Sequence, residues 1–285
     1  MFEPVLDHVV IDVRDRIDEA ESLFRRMGFA LTVRGHHTLG SSNHLAIFGS
    51  NYLELLGWES GTKTQRPELI RYPLGLNGVV FRADDADTVA AGLANAGLPT
   101  QPPRSFSREV RLPNGAHMQA RFRTVAFDEG TFGWTRTYFC EHFTPELVWR
   151  PEWQAHPNGA SEITRLVIQA AHPHRIGTLF ATMFGEASAH LDGETCVLKT
   201  ATATIEVMQR SEVERTFGDG SPDLGPRDEA PVAVTFACDD LRKSLQSLRA
   251  ADVDIRSESE RLVVPASRAL NVTLEFAQRA PREAA

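Results

Sequence analysis

Cysteine is scarce in this sequence. The 285 residues hold three, Cys140, Cys196 and Cys238, with no CxxC and no paired spacing. That argues against structural disulfides and sets the expectation of a reducing, cytoplasmic compartment. Long apolar runs are missing too, and none approaches the ~20 residues of a membrane span, so no membrane partner is expected. Positive charge is short: 30 Lys and Arg stand against 38 Asp and Glu, a formal net charge of −8. A nucleic-acid backbone needs a basic footprint, so nucleic acid is not an expected partner, while a small anionic ligand remains allowed. The opening Met-Phe-Glu-Pro has no basic or apolar leader region, and no signal peptide is expected. There is no P-loop, dinucleotide glycine fingerprint, GxSxG or HExxH.

What the chain does contain is a repeat. Leu6-Asp7-His8-Val9-Val10-Ile11 returns as Leu76–Phe81, Ile163–Ile168 and Pro231–Phe236. Each copy leads into an amphipathic stretch that closes at Gly28, Gly97, Gly185 or Asp252, at nearly constant spacing. Such repetition marks one supersecondary unit used several times.

In the first unit the pattern predicts a strand over 6–11, a helix over 16–27 and strands over 30–33, 44–48 and 52–56. The second has a helix over 86–96, a loop over 98–110, and strands near 111–112, 116–127 and 135–143. Residues 144–160, with three prolines and two tryptophans, read as an ordered connector. The third unit has a helix over 175–184 and a late hairpin over 195–209, followed by a loop over 210–230. The fourth has a helix over 241–251 and a last strand over 272–276, and the tail from Arg279 to Ala285 is expected to fray.

One βαβββ unit cannot bury both faces of its sheet, but two side by side can curl around a shared hollow with helices outside. The fold class is therefore α+β, with four βαβββ modules paired into two half-barrel domains. The expected partition is a front pair over 1–145 with the candidate active site, a connector over 146–161, and a rear pair over 162–285. Leu-Asp-His-Val-Val-Ile, Ser-Asn-His-Leu-Ala-Ile-Phe-Gly and Asn-Tyr-Leu-Glu-Leu-Leu-Gly resemble the vicinal oxygen chelate superfamily of glyoxalases, bleomycin-resistance proteins and extradiol dioxygenases. The first half looks like its glyoxalase-like branch.

That resemblance implies a divalent metal, Zn, Mn, Fe or Ni, held by first-strand and fourth-strand residues of a module pair. The first-strand positions here are His8, Gly78, Arg165 and Ala233; the fourth-strand positions are Glu54, Glu141, Glu206 and Glu275, with Cys140 as the alternative to Glu141. In front, His8, Glu54 and Glu141 give three ligands, and water would fill the Gly78 corner. At the rear Arg165 has no lone pair to offer a metal and would neutralise Glu206 or Glu275, so no rear metal is expected. The rear His, His and Glu of an extradiol dioxygenase are absent. Without metal, His8 and Glu54 would act as a hydrogen-bonded base and its orienter. Asn43, His44 and Phe48, together with Arg121 and Arg123, are the expected pocket residues. His36 and His37 fall in a loop, and His156 would cover the cavity mouth.

The expected function is a glyoxalase-like isomerase, lyase or ring-opening enzyme acting on a small oxygenated substrate. The alternative is a metal-free protein that binds and sequesters a small molecule. A homodimer is compatible with either.

Overall fold

The computed structural model describes residues 2–133, 135–258 and 260–279, so positions 280–285 of the expected frayed tail lie outside the described residues. Two eight-stranded sheets carry the chain. The front sheet comprises β1 (Leu6–Arg14), β2 (Gly35–His36), β3 (Ser42–Ile47), β4 (Tyr52–Gly57), β5 (Gly75–Ala83), β6 (Arg104–Arg111), β7 (His117–Ala126) and β8 (Arg136–His142). The rear sheet comprises β9 (Ala160–Ala170), β10 (Ala189–Asp192), β11 (Thr195–Lys199), β12 (Thr204–Met208), β13 (Glu229–Cys238), β14 (Arg256–Glu258), β15 (Arg261–Val264) and β16 (Thr273–Gln278). Helices α1 (Ile17–Arg26), α3 (Ala86–Asn95), α4 (Pro173–Phe184) and α6 (Leu241–Ala250) follow the first strand of each module; α2 (Pro67–Ile70) and α5 (Arg210–Phe217) lie between modules. The four-module α+β architecture is as expected.

The front order is β2-β3-β4-β1-β5-β8-β7-β6, and the rear repeats it as β10-β11-β12-β9-β13-β16-β15-β14. Each first strand lies parallel to the fourth strand of its module and antiparallel to the first strand of its neighbour. In front, the two outer edges also meet: His37 bridges Arg108, and Thr38 N donates to Ser107 O at 2.9 Å. The sheet there is nearly a closed barrel.

Local chemistry explains the elements. In α1, Ile17, Ala20 and Phe24 bury one face, with Asp18 and Glu19 in the first turn and Arg25 and Arg26 in the last, matching the helix dipole. Asp85 caps α3 by accepting from Thr88 N at 2.6 Å. The four closing residues, Gly28, Gly97, Gly185 and Asp252, all have positive φ (86°, 75°, 98° and 54°). Such a backbone is easy for glycine and tolerable for aspartate.

Three segments differ from expectation. Residues 30–33 form no strand; Thr32 instead exchanges hydrogen bonds with Leu45. Residues 104–111 form β6, hidden in the sequence because one of its buried, inward positions is an arginine, Arg108. Residues 210–217 form α5, a charged helix that buries only Val213 and Phe217, four apart on one face.

The main core runs through both halves. Phe236 packs on Phe29 and Phe48 at ring distances of 5.1 and 5.5 Å, and Phe81 packs on Phe184 at 4.8 Å. His156 is buried at this junction and does not cover a cavity mouth. It accepts from Ala30 N at 3.0 Å through Nδ1 and donates to Ile47 O at 2.9 Å through Nε2.

Candidate functional site

The hollows of the two sheets differ. The rear one is filled: Val213 and Phe217 of α5 pack onto Val167, Met208, Val232 and Val263. Its polar groups are paired, Arg165 with Glu206 at 2.7 Å and Glu275 with Arg261 at 2.8 Å. The front hollow keeps a cavity of about 340 Å³ whose wall includes His8, His37, Asn43, Glu54, Arg108 and Tyr138.

His8 owes its setting to an irregularity in β1. Leu6 pairs with Phe81 and His8 with Val80, so Asp7 is an extra residue in the ladder. Strict alternation would turn Asp7 away from His8; the bulge sets them side by side. Asp7, with no exposed surface, accepts from His8 Nδ1 at 2.7 Å, His142 Nε2 at 2.9 Å and Arg82 Nε at 2.9 Å. Burial alone would raise its carboxyl, but His142 and His8 outweigh it and hold Asp7 far below the usual carboxylate range. The Nδ1–H of His8 is thereby committed to Asp7, and Nε2 turns to the cavity, 3.3 Å from the Tyr138 hydroxyl and 3.8 Å from Glu54 Oε2.

Glu54 accepts from Asn43 Nδ2 at 2.7 Å through its other oxygen, which lies 3.9 Å from His37 Nε2. Burial pushes the Glu54 carboxyl up, yet His37, His8 and the Asn43 amide together bring it below its ordinary value, so it is ionised at neutral pH. His37 is pushed down to about 4 by burial, against the pull of Glu54. Unfolded chain, with an ordinary histidine near 6.5, then binds more protons between roughly pH 6.5 and 4. Stability must fall as pH drops through that window, with His37 contributing roughly 3 kcal/mol. His37→Gln is expected to flatten the pH dependence of the urea midpoint there; an unchanged slope would show that His37 titrates normally in the fold.

Several expected site residues lie elsewhere. Glu141 does not reach the cavity. Val10 pairs with Glu54 in one module and Val80 with Tyr138 in the other, so Tyr138 takes the matching fourth-strand place. Glu141 instead accepts from Ala86 N at the start of α3. Cys140 does line the cavity, with its thiol pushed well up by burial. His44 points toward α1, bonding Thr32 O, Arg34 and Glu21. Phe48 belongs to the core at the junction. Arg121 is exposed, and Arg123 is paired with Asp87 at 2.6 Å; Phe122 and Thr124 between and beside them face inward. Asn43 is in the cavity wall as expected. His37, assigned to a loop, is brought in where β2 closes toward β6, and its side chain is 8% exposed. Asp7, Arg108, Tyr138 and His142 were not among the expected residues. Trp149 packs on Tyr52 and His142 and under the Arg82 guanidinium.

Of the expected metal ligands, the cavity brings His8 and Glu54 together, with His37 beside Glu54. Two imidazoles and an ionised carboxylate are available from His8, His37 and Glu54, and Asp7 holds the second nitrogen of His8 as outer carboxylates do in metal sites. The two contacts to Glu54 run to different carboxylate oxygens, His8 Nε2 to Oε2 at 3.8 Å and His37 Nε2 to Oε1 at 3.9 Å, and the three residues do not bring one ligand atom each within 4.8 Å of one another. The Gly78 corner offers nothing, since even a Cβ there would lie 2.5 Å from Val10 Cβ. Among the described residues, Asp7, Cys140 and His142 are the group whose ligand atoms lie within 4.8 Å of one another. An ion there would displace hydrogen bonds to Asp7 and require a thiolate from Cys140, whose thiol burial keeps protonated.

Among the described residues no helix is long and apolar enough to cross a membrane. No curated protein sequence matches the chain. Solved structures do. A hypothetical protein from Staphylococcus aureus superposes with a TM-score of 0.66 at 11% identity, covering 97% of this chain and 100% of that one. A mutant 4-hydroxymandelate synthase from Streptomyces coelicolor gives 0.62 at 12%, covering 100% and 95%. A xylose isomerase-like TIM barrel/4-hydroxyphenylpyruvate dioxygenase fusion protein gives 0.55 at 11%, covering 100% of this chain and 50% of that one. At such identities the likeness is one of fold. Residues 6–184 match the family described as Glyoxalase-like domain, and the chain, built on the vicinal oxygen chelate fold, belongs to that family.

Proposed function

We propose that this protein is an enzyme that moves a proton on a small oxygenated molecule held in the front cavity. The observation that carries this is the line Asp7–His8–Glu54. Asp7 fixes the tautomer of His8, and the Nε2 lone pair faces both the cavity and an ionised carboxylate. A base positioned in this way, near Tyr138 as a hydroxyl donor, is what abstraction of a proton beside an oxygen requires. A divalent ion, Zn, Mn, Fe or Ni, held by His8 and Glu54, would supply Lewis-acid stabilisation of the enolate or alkoxide. Isomerase, lyase and ring-opening reactions are the classes this arrangement serves. The 4-hydroxymandelate synthase and the 4-hydroxyphenylpyruvate dioxygenase fusion among the structural neighbours support small-molecule chemistry on this fold.

The second reading is a metal-free protein that binds and sequesters a small molecule. It is favoured by the Gly78 corner, closed by Val10, and by Tyr138, whose phenol burial keeps protonated, at the fourth-strand place. Metal analysis of purified protein separates the two. Stoichiometric divalent metal is expected in the native protein, lost in His8→Ala and kept in Glu206→Ala of the rear hollow. Native protein that remains metal-free after loading with Zn, Mn, Fe or Ni would favour the binder.

A further inference from the structure

Arg108 is 2% exposed, and its Nη2 has no hydrogen-bond partner. It sits on β6 in the cavity wall, opposite the strands that carry His8 and Glu54. A buried charge left without a partner is costly. Of the other arginines of the cavity wall, Arg66 is engaged by Glu68, Arg71 by Glu129 and Arg136 by Asn77, while Arg104, at the start of β6, is exposed to water. The filled rear hollow gives a further contrast, since Arg165 and Arg261 there each have a carboxylate and Arg256 bonds the carbonyls of Thr216 and Phe217. Room for the Arg108 side chain is made by Gly35, where a Cβ would lie 2.6 Å from Arg108 Cδ and 2.8 Å from Nη1. Asn43 Oδ1 lies 2.7 Å from the same point and is also without a partner. Its orientation is fixed because Asn43 Nδ2 is spent on Glu54.

We propose that the substrate is a small organic acid with an apolar body, its carboxylate taken by Arg108 and a neighbouring hydroxyl by Asn43. This rests on the front cavity being the functional site and names its substrate class. A guanidinium and a planar carboxylate match in shape and charge. The apolar wall, with Leu45, Leu56 and the stacked rings of Phe106 and Phe122 at 5.2 Å, suits a one-ring body. Arg108 is the buried guanidinium of this wall with a free donor, Arg66, Arg71 and Arg136 being engaged and Arg104 hydrated, and one such group serves a monoanion better than a phosphate dianion, which calls for several donors.

The test is calorimetric titration at low salt with salicylate, its neutral counterpart salicylamide, and inorganic phosphate. Native protein is expected to bind salicylate at least about tenfold more tightly than salicylamide, a difference of about 1.4 kcal/mol, and phosphate is not expected to displace it. Arg108→Met should erase the preference, and Arg108→Lys should restore part of it. His8→Ala, which removes the proposed base, should keep the preference, so failure of the proton-transfer reading and failure of this one are separable. Equal affinity for acid and amide, no measurable binding of salicylate, displacement by phosphate, or a preference surviving in Arg108→Met would each overturn the proposal. Should Arg108→Met not fold, the acid–amide comparison on native protein decides.

Discussion

Asp7→Ala is expected to destabilise the protein by about 3–5 kcal/mol, the range for removing one partner of a buried charged network. Asp7 has no exposed surface and takes hydrogen bonds from His8, His142 and Arg82 at once. Its loss leaves three buried or half-buried donors facing a void the size of a carboxylate. The sign with pH also follows. The folded carboxyl lies far below its ordinary value, so its contribution is complete above about pH 4 and is lost as pH falls toward the folded value. Urea unfolding at neutral pH measures the effect. A change under about 1 kcal/mol would mean that the three donors find other partners and that Asp7 does not organise the site.

The second large effect is expected at the junction of the halves. Phe236 is fully buried and touches Phe29, Phe48 and Phe276. Truncation of a buried phenylalanine costs about 3–5 kcal/mol. Because Phe29 and Phe48 belong to the front half, Phe236→Ala should weaken both halves together. All four tryptophans, at 58, 134, 149 and 153, precede the rear modules, so tryptophan fluorescence reports the front while far-ultraviolet circular dichroism reports the whole chain. The two transitions should coincide and move together to lower urea. A shift seen by circular dichroism with fluorescence unmoved would show that the expected 1–145 and 162–285 units unfold independently.

The architecture was legible because the module is short, repeated and punctuated. Helices close where positive φ is needed, and the residues that supply it stand at Gly28, Gly97, Gly185 and Asp252. The partnership of His8 and Glu54 in one hollow was legible through the superfamily resemblance, which assigns the site to first- and fourth-strand positions. What was hidden depends on departures from the ideal strand. Asp7 joins His8 only because the ladder is out of step between Leu6 and His8, which the side-chain pattern does not announce. His37 enters the cavity through closure of two sheet edges, a long-range event with no local signal. Arg108 breaks the apolar alternation of β6, so a strand read as a loop. Glu141 and Tyr138 show how three residues of register exchange an expected ligand for a phenol. The charged face of α5 concealed two residues that fill the rear hollow.

The site turns on Asp7 holding His8 through Nδ1, so that Nε2 faces the front cavity. Nitrogen-15 NMR of imidazole-labelled protein at mildly alkaline pH reads the tautomer of His8 directly, with His8→Gln supplying the assignment. The proton of the neutral ring is expected on Nδ1, with the lone pair on Nε2, and that pattern should be lost in Asp7→Ala. A neutral ring carrying its proton on Nε2 would contradict it.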